Sequence, residues 1–267
     1  MNISSSPPVG VIEQNFSQNS AFIMLFERAV NHMIKDPGQI IGAVLFPLVF
    51  FLLFSLIMSR VMQVNNFDYD QMLPAGIVIQ AMIFTAMSSA SVIATDYESG
   101  LYERFNTMPF NPMLPSLARV GADLIRGLLV ILIITILAIS NGMIFSAGIQ
   151  GVILYFVFPL LFLFVISLAM GLIGHLQKDV RKSSAITSVI YLPLIMISTA
   201  FTPISSFPQS MQQWVSMSPV TQVIDVMRMA VIGNINFTDI VICIVVLSLL
   251  AAFFMYTTRW VIQRQSL

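Results

Sequence analysis

Six uncharged apolar runs constrain this chain most: 40–58, 73–94, 127–145, 152–173, 185–201 and 240–256. Each is close to the roughly 20 residues a helix needs to cross the hydrocarbon core of a bilayer. Lipid offers the backbone no hydrogen-bond partners, so such a run must satisfy its own N–H and C=O groups, and a helix does so. The predicted fold class is therefore an all-α integral membrane protein with six transmembrane helices. Composition excludes the alternative of a soluble domain: 57% of residues are hydrophobic and 9% charged, against about a quarter charged in ordinary soluble proteins.

Basic residues set the orientation, since Lys and Arg concentrate on the cytoplasmic side. With the N-terminus inside, Arg28, Lys35, Arg104, Arg119, Arg126, Lys178, Arg181, Lys182, Arg259 and Arg264 lie in cytoplasmic segments, and only Arg60 and Arg228 lie outside. Both termini are thus expected in the cytoplasm and the protein in the cell membrane. No short apolar segment precedes a cleavage site, so no signal peptide is expected. Cys243 is the sole cysteine and does not report the redox compartment.

Residues 1–19 read as a flexible N-terminus and 20–36 as an amphipathic helix in the inner interface. There Phe22, Leu25, Phe26, Ala29, Val30 and Met33 share one face. The remainder, 37–267, forms one transmembrane domain. Pro47 in the first span is tolerated as a kink. The second span ends in small polar residues, Thr85, Ser88, Ser89, Ser91 and Thr95. They suit a close helix-packing face or a polar wall of a substrate path. His32 reads as a surface residue, and His175 as a residue at the lipid boundary beside the basic cluster from Lys178 to Lys182.

Between the second and third spans lies a charged segment, 96–109. If Asp96 to Asn106 is one helix, Tyr97, Leu101 and Phe105 fall at i, i+4 and i+8, flanked by Glu98, Glu103 and Arg104. An apolar face edged by charge and stopped by Pro109 suits a peg for a partner's groove. It equally suits a solvated helix on the membrane surface. The motif D-x-E-x-G, then E-R-F-x-x-M-P, then L-x-R-x-x-A-D-L-I-R resembles the cytoplasmic coupling region of ABC type-2 permeases, in the drug-exporter branch. The resemblance implies that 96–109 is a coupling helix seated in a nucleotide-binding subunit. Asp96, Glu98, Gly100, Glu103, Arg104, Phe105 and Pro109 take the motif positions, and Tyr97 and Leu101 supply the docking face. Phe110 and Asn111 stand where the family often carries Arg or Lys.

After this segment, residues 114–126 read as an amphipathic stretch along the interface, with Arg119, Asp123 and Arg126 on its polar side. The charge-free region 183–224 is interrupted by Pro193, Pro203, Pro208 and Pro219 and is too polar in its middle to face lipid. Such backbone must be buried in protein or line a cavity. The run from F-T-P-I-S-S-F-P to S-P-V-T-Q-V-I-D-V-M-R again resembles the same family, which implies an outer re-entrant element between spans five and six. At the end of that run, Thr221, Asp225 and Arg228 share one helix face. They read either as an interfacial helix looking at water or as an outer gate.

No glycine precedes Lys-Ser or Lys-Thr, so the chain has no Walker A loop. No charged residue lies mid-span, where ion-coupled carriers keep theirs. The expected function is the non-enzymatic permease subunit of an ATP-binding cassette exporter moving a hydrophobic or amphipathic cargo. It would bind no cofactor itself, with ATP and Mg in the partner ATPase subunit. A second permease copy, as homodimer or heterodimer, and membrane lipid complete the expected partners, with no nucleic acid. The alternatives are an ATP-independent carrier, a membrane-embedded enzyme, and export of polysaccharide or lipid-linked glycan.

Overall fold

A computed structural model describes residues 18–63, 69–108 and 110–265; Pro109, one of the expected docking residues, lies outside the described residues. Helices α1 (Gln18–Lys35), α2 (Pro37–Gln63), α3 (Tyr69–Glu98), α4 (Leu101–Asn106), α5 (Leu114–Ser140), α6 (Gly148–Gln177) and α7 (Val180–Met196) follow in order. After a 3₁₀ turn at Ile204–Ser206 come α8 (Gln209–Met217), α9 (Pro219–Ile232) and α10 (Phe237–Gln265). There is no strand among the described residues.

Four of these helices, α3, α5, α6 and α10, are long and apolar enough to cross a membrane, and a fifth candidate arises if α8 and α9 count as one broken span. The expected first span falls on α2, whose apolar part is the shorter Ile41–Leu56, and the expected fifth falls on α7. That helix stops at Met196, so 197–201 leaves the helical span assigned to it. The third expected span is also corrected. Instead of an interfacial stretch followed by a new helix at 127, α5 is continuous from Leu114 to Ser140. Gly127 serves contact rather than a break, because a Cβ there would run into Leu163 of α6.

Helix α3 is the axis of the fold, packing against α2, α5, α6, α7 and α9. It is the least apolar of the four spanning candidates yet the most buried: 72% of its apolar window is inside, against 17% for α10. The order is physical, because a helix in lipid must be apolar all round whereas one wrapped by other helices can keep Gln80, Thr85 and Ser89 in its interior faces. Small residues set the spacing. A Cβ at Gly174 of α6 would lie 2.6 Å from the Ala90 carbonyl oxygen of α3, so only glycine allows this approach.

At the end of the bundle that carries α4, helix α1 lies along α5 with the Phe26 ring over Gly121. At the opposite end, α8 and α9 meet at a 79° bend at Ser218. The prolines of this region stand at starts: Pro203 and Pro208 precede the 3₁₀ turn and α8, and Pro219 opens α9. That first-turn position needs no N–H from proline. Nine of the fourteen residues of α9 are buried, whereas α8 buries only Val215.

Candidate functional site

The α3–α5 connection is built in two pieces, not as the single expected helix. α3 ends at Glu98, the chain turns through Ser99 and Gly100, and α4 restarts at Leu101. Gly100 adopts φ +71°, the left-handed region that glycine enters without a Cβ penalty. The turn folds the expected stripe inward. Tyr102 and Phe105 are 4% and 8% exposed, whereas Tyr97 and Leu101 of the same stripe are half-buried.

Aromatic stacking holds it there. The Tyr97 and Tyr102 rings lie parallel at 4.1 Å, and Tyr102 meets Phe105, and Phe105 meets Phe110, edge to face. Both tyrosines stand edge-on to the His175 ring of α6 at 5.7 and 5.3 Å. His175 is fully buried, not at the lipid boundary. Its Nδ1 is hydrogen-bonded to the Tyr97 hydroxyl at 3.0 Å and its Nε2 to the Ser116 hydroxyl of α5 at 2.8 Å. One imidazole therefore links the end of α3, the start of α5 and the last turns of α6. Burial drives the Tyr102 phenol well above its ordinary pKa, so it stays protonated.

The charged members of the segment are also engaged within the chain. Asp96 pairs with Arg28 of α1 at 2.8 Å. Glu98 accepts from the Val180 backbone N–H at the start of α7 at 2.9 Å. The exposed residues of the segment are Glu98, Ser99, Glu103, Arg104, Thr107 and Met108, with Leu101 half-buried.

Sequence reasoning missed the polar core behind this segment. Arg119, Asp123 and Arg126, read as the outward face of an interfacial stretch, are 4%, 0% and 1% exposed. Asp123 Oδ1 pairs with Arg126 at 2.6 Å and Arg119 at 3.3 Å, and its Oδ2 accepts from Ser89. Arg126 also donates to the Thr85 carbonyl at 2.9 Å and to the Ser88 hydroxyl, which accepts from Arg119 as well. The helix is inverted relative to a surface helix: Ile125, Leu128 and Leu129 point outward, as charges in a membrane helix turn toward the bundle interior and pair. The detectable signal was the match of two patterns, Arg-Asp-Arg at i, i+4 and i+7 and the Thr85-Ser88-Ser89 stripe.

At the opposite end, Asp225 and Arg228 approach at 3.8 Å, with side chains 47% and 10% exposed. Arg228 turns inward, donating to the carbonyl of Thr199 at 2.6 Å and to that of Met72 at 3.4 Å. Thr221 on the same face accepts from the Thr199 N–H at 3.3 Å. The pair is split between two environments: Arg228 ties α9 to the segment after α7 and to α3, and Asp225 is half-exposed. Among the described residues no group of His, Cys, Asp and Glu is placed to hold a metal.

The family model for the ABC-2 type transporter matches residues 20–232, from α1 to the end of α9. The chain is also similar to the daunorubicin resistance ABC transporter permease protein of Streptomyces coeruleorubidus. The two are 24% identical over 227 residues, 84% of this chain and 80% of that protein.

Proposed function

The chain belongs to the ABC-2 type transporter family, and on that premise we propose that it is the membrane subunit of an ATP-driven exporter. The observation that carries the reading is the reach of the family match, which takes in α4, the buried core behind it and α9 without a break. ATP and Mg belong to a separate nucleotide-binding subunit. The bundle end bearing α4 faces the cytoplasm with both termini, in the plasma membrane, and two copies of the chain assemble as a homodimer with the path between them.

Coupling works in two layers. The outward residues Glu103, Arg104, Thr107 and Met108 meet the ATPase. The inward residues Tyr97, Tyr102 and Phe105 pass its movement to α5 and α6 through His175 and Ser116. Asp96 and Glu98 fix the segment to α1 and α7, so closure of the ATPase moves several helices together. At the outer end Arg228 holds α9 against α3 and the segment after α7, a contact that must rearrange for the path to open.

The cargo is a hydrophobic or amphipathic molecule, drug-like or lipid-like. The resistance role in the printed name of the Streptomyces coeruleorubidus relative supports the drug-like case. The test is reconstitution of this chain with a Walker-bearing ATPase encoded beside it. Stable co-purification and ATP-dependent transport are expected, and transport by the chain alone would contradict the reading.

A further inference from the structure

Thr258 carries the one hydroxyl on the buried stripe of α10, which otherwise runs through Cys243, Leu247, Val261 and Ile262. It is 1% exposed, and Ser167 of α6 is 0% exposed. Hydroxyls on helices often turn back to a carbonyl of their own helix. Here Thr95 donates to the Ser91 carbonyl at 2.9 Å, Thr187 to the Ser183 carbonyl at 3.0 Å and Thr257 to the Phe253 carbonyl at 2.9 Å. Ser167 and Thr258 do not: their buried hydroxyls have no hydrogen-bond partner among the described residues. Both line one void of about 10 Å³ between α3, α5, α6 and α10. Every residue around that void is buried.

The void joins the two polar centres of this end of the bundle. Arg119 of the buried ion group and His175 of the aromatic joint both line it, with Ser89 and Ser116. Proton placement shows what Ser89 offers. A carboxylate only accepts, so the Ser89 proton goes to Asp123, and the Ser89 oxygen keeps lone pairs for another donor. Two buried O–H donors therefore share a void with a buried acceptor. Size and charge select what can stand between them. A water needs about 10–15 Å³ of void and two to four polar partners. The Arg119 guanidinium opposes a metal cation there, and chloride is larger than water.

We propose that the void holds a single buried water. It takes the Ser167 and Thr258 hydroxyl protons on its two lone pairs and donates one of its own to the Ser89 oxygen. The water gives α10, the least buried of the four long spanning helices, a polar link to α6 and α3. It also explains a hydroxyl where valine would fill the same shape in an apolar stripe. In the exporter reading this link brings α10 into the joint beneath α4, but the site itself stands on the packing of one chain.

The test is radiolytic labelling of the full chain in nanodiscs, without nucleotide or ATPase. A brief X-ray pulse turns water into hydroxyl radicals that oxidise only the side chains beside it, and mass spectrometry locates the added oxygen. Leu168 lines the void and Leu163 does not, although both are buried in α6. Leu168 and His175 are expected to be labelled and Leu163 to stay at background. Thr258→Val keeps the shape and removes one donor, and Ser167→Ala removes the other. The double variant is expected to lose the labelling of Leu168 while its melting temperature shows an intact fold, and Thr258→Ser is expected to keep it. Thr258→Val alone is expected to reduce the labelling, which decides the matter if the double variant does not fold. Background labelling of Leu168 in the unaltered chain shows a dry void and overturns the proposal. Undiminished labelling of Leu168 in a folded Thr258→Val or double variant overturns it too. None of these readings involves a partner subunit, so they leave the exporter reading to its own test.

Discussion

Asp123 is the residue on which the interior of this protein most depends. It is fully buried and its two oxygens hold Arg119, Arg126 and Ser89. Removing one member of a buried charge group strands the others at about 3–5 kcal/mol, whereas replacing the whole group with apolar side chains is often neutral or stabilising. Asp123→Asn is therefore expected to lower thermal stability in detergent sharply. Arg119→Met, Asp123→Leu and Arg126→Met combined are expected to recover most of that loss; a triple variant less stable than the single one would contradict the assignment. Arg228 and Asp225 separate in the same way. Arg228→Ala removes charged hydrogen bonds to two carbonyls, about 1.5–3 kcal/mol each at most, and is expected to impair both stability and export. Asp225→Asn alters a half-exposed partner worth under about 1 kcal/mol and is expected to leave both near wild type. Because Arg228 is held mainly by backbone, Asp225→Asn added to Arg228→Gln is expected to rescue nothing, and recovery of export in that double variant would restore the pair as a gate.

At the scale of the element, α4 divides into an inner and an outer face with different consequences. Phe105→Ala empties a packed aromatic site and is expected to destabilise the chain itself by about 3 kcal/mol, seen as a lower melting temperature without any partner present. Reversing the outer charges, Glu103→Arg with Arg104→Glu, is expected to leave melting unchanged and weaken ATPase capture in a pull-down. If the charge reversal captures the ATPase normally while Phe105→Ala alone loses it at unchanged melting temperature, the faces are assigned the wrong way round. Sequence periodicity placed Tyr97, Leu101 and Phe105 on one stripe and could not show which way the stripe looks. That depended on Gly100 turning α4 back onto His175, a residue 75 positions downstream of it. The long apolar helices were legible because lipid demands uniform apolarity. The Arg119–Asp123–Arg126 group was not, because the same spacing marks a solvated face in one surrounding and a buried one in the other. Only the hydroxyls of α3 decide between them.

For the whole molecule, the least apolar spanning helix stands at the centre and the outer helices shield it from lipid. Close approach of α6 to α3 depends on Gly174, so Gly174→Leu is expected to splay the bundle at the α4 end. In the assembled exporter this would uncouple ATP hydrolysis from transport more than it lowers expression; normal coupling in that variant would show the contact to be dispensable. We propose that this chain moves its cargo with energy from a separate ATPase. The most direct measurement is ATP-dependent uptake of rhodamine 123 into inverted membrane vesicles containing this chain with and without its ATPase. Uptake is predicted only with both subunits and hydrolysable ATP, and it should vanish when the Walker A lysine of the ATPase is replaced. Equal uptake by vesicles that hold this chain alone, or uptake unaffected by that replacement, would contradict the account.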